Sequence, residues 1–146
     1  MRTLTIVALL GVLPGIGWAQ DKQIIQVPGA SLGLPFSTAV RVGNMIYLSG
    51  QIGTPPGSLQ LAPGGVGPET RQTLENIKRV LEHAGSSMDR VAKCTVFLQD
   101  IADYAAMNEV YATFFPKDPP ARSTVAGSGL ALGARVEIEC LAVAGA

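Results

Sequence analysis

The chain is poor in the residues that usually announce a metal centre or a nucleic-acid surface. Histidine occurs once in 146 residues, as His83. With no second ligand at metal spacing, it gives no metal site. Neither sign of charge dominates, since eleven basic residues balance eleven acidic ones. Without a basic block, bulk electrostatic binding of nucleic acid has little to drive it. The chain lacks a Gly-x-Ser-x-Gly elbow, a Gly-Lys-Ser phosphate loop, a Cys-x-x-Cys pair and any adjacent Cys-His pair. Ser123 and Thr124 have no histidine near them in sequence to serve as a base, which argues against nucleophilic serine chemistry. Cysteine is scarce too. Cys94 and Cys140 fall on separate predicted strands. Export would permit a disulfide, but sequence does not show the two close enough to bridge. Two buried thiols are the expectation.

What is present begins with a leader. Arg2 precedes an apolar run from Leu4 to Ile16, and Gly17-Trp18-Ala19 ends it as small-x-small. That pattern predicts a signal peptide over residues 1–19, cut after Ala19. It implies a periplasmic or secreted product with no membrane association after cleavage. The apolar run is short for a membrane span, and no cysteine follows the cut to carry a lipid. Residues 20–146 are then expected to form a single domain, large enough for its own core.

Ile24, Ile25 and Val27 suggest a short edge strand. Ser37–Val42 and Met45–Ser49, joined by Gly43-Asn44, read as a hairpin. Gly50 closes it where the backbone approaches something closely. Thr54–Pro68 is dense in glycine and proline and must be a loop, either a plain connector or a rim over a pocket. Pro68–Ala84 is predicted helical, with Leu74, Ile77, Leu81 and Ala84 on one face and Gly85 as its stop. Val91–Leu98 reads as a strand. A second helix follows, with Asp100 and Asp103 as alternative caps. Its stripe of Ile101, Tyr104, Asn108, Tyr111 and Phe115 reads as core. Ala121–Ala126 and Ala134–Val143 are the last strands. This order implies an α+β fold with two helices on one face of a mixed sheet. Val136, Ile138 and Cys140 are assigned to the other face, opposite Glu137 and Glu139. That would leave an apolar surface needing cover and hints at self-association.

The chain is organised around Pro119–Leu141. Arg122 follows a rigid Pro119-Pro120 lead-in, and Glu137 sits on the last strand. A guanidinium fork matches a carboxylate with two parallel hydrogen bonds. The functional reading is that Arg122 grips a small carboxylic acid while Glu137 handles a water. The plainer alternative is an arginine solvated at a loop edge and two glutamates on a wet strand face.

Five segments carry a resemblance: GNMIYLSGQIG (43–53), QTLENIKRVLEHAG (72–85), VAKCTVFLQDIADYAAMNEVYATFF (91–115), PARSTV (120–125) and VEIECLAV (136–143). In this order and spacing the chain resembles the RidA/YjgF family of imine and enamine deaminases, from about Leu34 to Val143. The resemblance implies a chorismate-mutase-like fold and a barrel-like homotrimer with clefts between subunits. It also implies hydrolysis of intermediates such as 2-aminoacrylate and 2-iminobutanoate to 2-oxo acids and ammonia, with no metal or organic cofactor. Carried over by motif, Arg122 binds the substrate carboxylate, Glu137 positions the attacking water and Gly50 offers a backbone contact. Phe36 stands where the family has a tyrosine, so a hydroxyl is missing. Thr124 replaces a frequent cysteine whose contact is largely through its backbone.

Two further readings differ in class. One is a non-catalytic module that holds a small carboxylate in the same cleft. Phe36 motivates it, as does export away from the cytoplasmic enzymes that generate such imines. The other is a chaperone-like or ribonuclease activity reported for relatives of the family, and the neutral charge weighs against the ribonuclease.

Overall fold

The computed structural model describes residues 21–30 and 33–145. The predicted leader lies outside the described residues. Its strands are β1 (Lys22–Ile25), β2 (Ala39–Val42), β3 (Met45–Leu48), β4 (Gln51–Ile52), β5 (Val91–Leu98), β6 (Ala121–Ala126) and β7 (Val136–Val143). Its helices are α1 (Val66–His83) and α2 (Tyr104–Phe114). One sheet runs in the order β1-β2-β3-β7-β5-β6, and β4 also pairs with β7. Every pairing is antiparallel except β5 with β6. The last strand is thus inserted into the middle of the sheet, between β3 and β5.

α1 begins two residues before Pro68, which sits in the first turn where a missing N–H costs nothing. It ends as the glycine predicts. Gly85 takes a positive φ of 72°, and the Gly85 and Ser86 amides donate to the Glu82 and Leu81 carbonyls. Leu74, Ile77, Val80 and Leu81 are buried on the sheet side. α2 turns Met107, Tyr111 and, just past its end, Phe115 inward.

β7 alternates cleanly between buried and partly exposed positions. Val136, Ile138 and Cys140 are buried with the helices, not on the opposite face as the sequence reading had them. They join Cys94, Val96 and Leu98 of β5 in one core cluster. The open face instead carries Glu137, Glu139, Leu141 and Val143 beside Thr95 and Phe97, and exposes Tyr47 and Val125. It is still apolar in part, but through different residues from those expected.

The expectation of free thiols is also corrected. Cys94 and Cys140 are direct partners across β5 and β7, and they form a disulfide with Cα atoms 4.1 Å apart. Local sequence signals cannot show this, because which strand neighbours β5 is a non-local fact. The glycine- and proline-rich loop leads from β4 into α1. Asn76 Nδ2 ties it down by donating to the Ile52 and Thr54 carbonyls at 3.1 and 2.8 Å.

The disulfide closes a loop of sequence separation 46. Replacing both cysteines by alanine should lower stability by roughly 2–4 kcal/mol. Urea unfolding should show this loss, and dithiothreitol should shift the midpoint of the parent chain but not that of the variant.

Candidate functional site

Unit β5-α2-β6 brings the chain back parallel to β5 with α2 packed over the sheet, the usual consequence of a crossover helix. In the β5–β6 register Arg122 lies opposite Cys94 and Thr124 opposite Val96. Arg122 and Thr124 therefore share the helix face of the edge strand. Ser123 points to the other side, where Lys93 Nζ donates to its hydroxyl at 2.9 Å.

Arg122 does not reach freely into solvent. Its guanidinium carbon stands 4.6 Å from the centre of the Tyr111 ring and 5.7 Å from that of Tyr104. Both lie within range of an attractive cation–π contact. Its Nη2 donates to the Tyr104 hydroxyl at 3.2 Å. A cleft of about 550 Å³ opens here, bounded by Tyr104, Asn108 and Tyr111 of α2, the Pro119-Pro120 corner, and Arg122 and Thr124. That volume suits a small molecule. Three buried polar atoms in its wall, Asn108 Oδ1, Tyr111 Oη and Thr124 Oγ1, have no hydrogen-bond partner. Burial pushes the Tyr111 phenol up to about 12, against the opposing pull of Arg122. It stays neutral at any physiological pH.

The aromatic stripe of α2 is thus not simply core, as its spacing suggested. Tyr104 is 40% exposed and Tyr111 only 5%, yet both form the seat of Arg122. The missed signal was topological. A strand that follows a helix by a short connection returns alongside it, so the PPAR segment had to pass this stripe.

Glu137 is elsewhere. It lies opposite Phe97 on β5 and Ile52 on β4, on the open face of the sheet. Gly50, in the break between β3 and β4, is its immediate neighbour. A Cβ added at Gly50 would stand 2.9 Å from Glu137 Cδ and 3.1 Å from Cγ, and would collide with Oε1. The glycine expected to permit a close approach permits that of Glu137. Partial burial, and then the neighbouring Glu139 charge, raise the Glu137 pKa above the ordinary glutamate value. Phe36 is 46% exposed. The next residue accepts a hydrogen bond at its carbonyl from Ser49 Oγ at 2.7 Å. That bond ties the residue after Phe36 to the residue that follows β3. Four of the predicted site residues fall into two groups on opposite faces of one sheet: Arg122 with Thr124, and Glu137 with Gly50. Among the described residues, no three histidine, cysteine or carboxylate side chains cluster as a metal site would need.

Comparison with known proteins gives this arrangement a context. The family model described as Endoribonuclease L-PSP matches residues 30–144. A mouse protein named 2-iminobutanoate/2-iminopropanoate deaminase is 46% identical over 111 residues, which are 76% of this chain and 82% of that protein. The structure of RidA from an Antarctic Psychrobacter superposes with a TM-score of 0.78 at 38% identity, covering 83% of this chain and 98% of that one. The structure of E. coli TdcF with bound serine superposes with a TM-score of 0.78 at 35% identity, covering 84% of this chain and 99% of that one.

Because the atom nearest an added methyl belongs to a side chain, Gly50→Ala should fold and lose no more than about 1–2 kcal/mol. Its effect should fall on Glu137, which must swing outward. NMR titration of the Glu137 carboxyl should then show its pKa falling back toward the ordinary value.

Proposed function

This chain belongs to the endoribonuclease L-PSP family, and on that premise we propose that it hydrolyses reactive imines and enamines of the 2-iminobutanoate and 2-aminoacrylate type to 2-oxo acids and ammonia. The observation that carries the reading is the seated cation. Arg122 is held over two tyrosine rings in a small-molecule cleft whose wall offers three polar atoms without partners. A permanent cation beside uncommitted hydrogen-bonding groups suits a ligand with a carboxylate and a nearby nitrogen. Relatives named for such substrates support it.

The chemistry is short. Arg122 fixes the carboxylate and, through it, the electrophilic C=N carbon. Glu137 accepts a proton from a water as the water oxygen bonds to that carbon. The π pair of the C=N bond moves to nitrogen, which is protonated. The resulting carbinolamine loses ammonia as its hydroxyl proton leaves and the C=O bond forms. An enamine first takes a proton at carbon and gives one up from nitrogen to become the imine. The raised pKa of Glu137 brings it closer to neutrality and makes it a better base.

Arg122 and Glu137 face opposite ways within one chain, so the reading requires a site built from two copies. The cleft side of one subunit meets the open face of the next, as in a closed homotrimer. The partly apolar open face is consistent with burial in such an assembly. The leader pattern together with the Cys94–Cys140 disulfide supports an exported protein, because disulfides persist in oxidising compartments.

Ammonia release should be measured from 2-iminopropanoate and 2-iminobutanoate generated in place by an amino-acid oxidase. Arg122→Ala and Glu137→Gln should each abolish acceleration. Mixed, unfolded and reassembled together, they should regain about a quarter of parental activity if each site draws its two groups from different copies. No regain would sink the shared site. No acceleration by the parent chain, with Arg122-dependent binding of 2-oxobutanoate, would favour the non-catalytic carboxylate module that the lost hydroxyl at Phe36 also suggests. A separate check is the acid limb of the pH–rate profile. The base works only when ionised, so activity should fall as pH drops through the Glu137 pKa. That limb should lie above the ordinary glutamate value.

A further inference from the structure

The seat of Arg122 contains a second group able to hold an anion. Tyr104 projects from the first turn of α2, and its oxygen accepts the hydrogen bond from Arg122 Nη2 at 3.2 Å. A guanidinium has donors and no acceptor. The phenolic hydrogen therefore cannot return to Arg122 and is free to point into the cleft. It stands beside the other N–H groups of Arg122, whose guanidinium is stacked over the two tyrosine rings. Two donors side by side are what the two oxygens of a carboxylate require. The tyrosine is also spare as far as packing goes: it is 40% exposed, while Met107, Tyr111 and Phe115 supply the buried contacts around α2.

From this arrangement we infer that the Tyr104 hydroxyl is a second grip on the substrate carboxylate, donating to one oxygen while Arg122 donates to the other. This rests on the reading of Arg122 as the carboxylate site, and it adds a substrate-binding residue that the family motif does not supply here. It also accounts for the use of tyrosine at a place where any aromatic ring would stack on the cation.

Ionisation gives the hydroxyl a signature of its own. Hydrogen bonds from Asn108 and then from Arg122 hold the Tyr104 phenol below its ordinary range. The groups around it are Arg122 from β6, permanently charged, and Asn108 and Tyr111 from its own helix. Burial keeps the Tyr111 phenol up at about 12. On an alkaline titration Tyr104 is therefore the first of the two phenols to lose its proton. A phenolate has no hydrogen to donate and repels a carboxylate. A tyrosine that merely positioned Arg122 would instead hold it more firmly as a phenolate.

The experiment is calorimetric titration of the intact protein with 2-oxobutanoate, a stable carboxylate that needs no turnover, across neutral to alkaline pH. Tyr104→Phe keeps the ring and removes only the hydroxyl. It should weaken binding roughly tenfold or more at neutral pH, raise KM in parallel and leave kcat nearly unchanged. The parent chain should lose affinity on an alkaline limb that the variant lacks. Affinity within twofold of the parent, a fall in kcat without a rise in KM, or an alkaline limb that persists in the variant would each overturn the inference. Arg122→Ala is the control for the underlying reading. If it leaves binding unchanged, the cleft is not the carboxylate site. If it abolishes binding while Tyr104→Phe does not weaken it, the cleft stands and the second grip falls.

Discussion

Arg135 ties together the parts of the fold that carry chemistry. Its backbone N–H donates to Glu69 Oε2 at 2.8 Å, and its guanidinium makes two bonds to the Asp103 carboxylate at 2.9 and 2.8 Å. Its carbonyl accepts from the Gln99 amide at 2.9 Å. Glu69 and Asp103 are both buried, so each needs this partner, since an unpaired buried carboxylate is expensive. One residue thereby fastens the start of α1, the approach to α2, the end of β5 and the start of β7. Tyr104 follows Asp103 directly, and Glu137 lies two residues beyond Arg135. The placement of Tyr104 and that of Glu137 descend from the same junction. The first turn of α1 is held close for the same purpose, since a side chain at Gly53 would run into the Glu69 backbone.

Much of this was legible in the sequence. The apolar spacing of α1 and its glycine stop, the hairpin at Gly43-Asn44 and the alternation of β7 are local signals, and local signals survive folding. The close approach expected at Gly50 is also there, and the structure assigns it to Glu137. What was not legible is non-local. The sequence does not say that β7 inserts beside β5, and so it hides the Cys94–Cys140 bridge. It shows that β7 has two faces but not which one the helices cover. Val136, Ile138 and Cys140 went to the wrong side for that reason. Tyr104 and Tyr111 were read as core because helical spacing reports which residues share a face, not what lies across from them.

The separation of Arg122 from Glu137 follows from strand geometry alone. Arg122 lies opposite Cys94 and Glu137 opposite Phe97, and successive residues of a strand point to opposite faces. No side-chain rotamer carries an odd-numbered neighbour through the sheet. Within one chain the two groups therefore stand on opposite faces of the sheet, whatever the surrounding side chains do.

The disulfide has a consequence for survival of a backbone cut. Tyr104, Tyr111, Arg122, Thr124 and Glu137 all lie between Cys94 and Cys140. So do the exposed turns at 116–119 and 127–133, where a protease would first find purchase. A cut in either turn would fall inside the covalent ring. The two pieces would stay joined through the centre of the sheet, with every site residue still attached and each strand still paired with its neighbour.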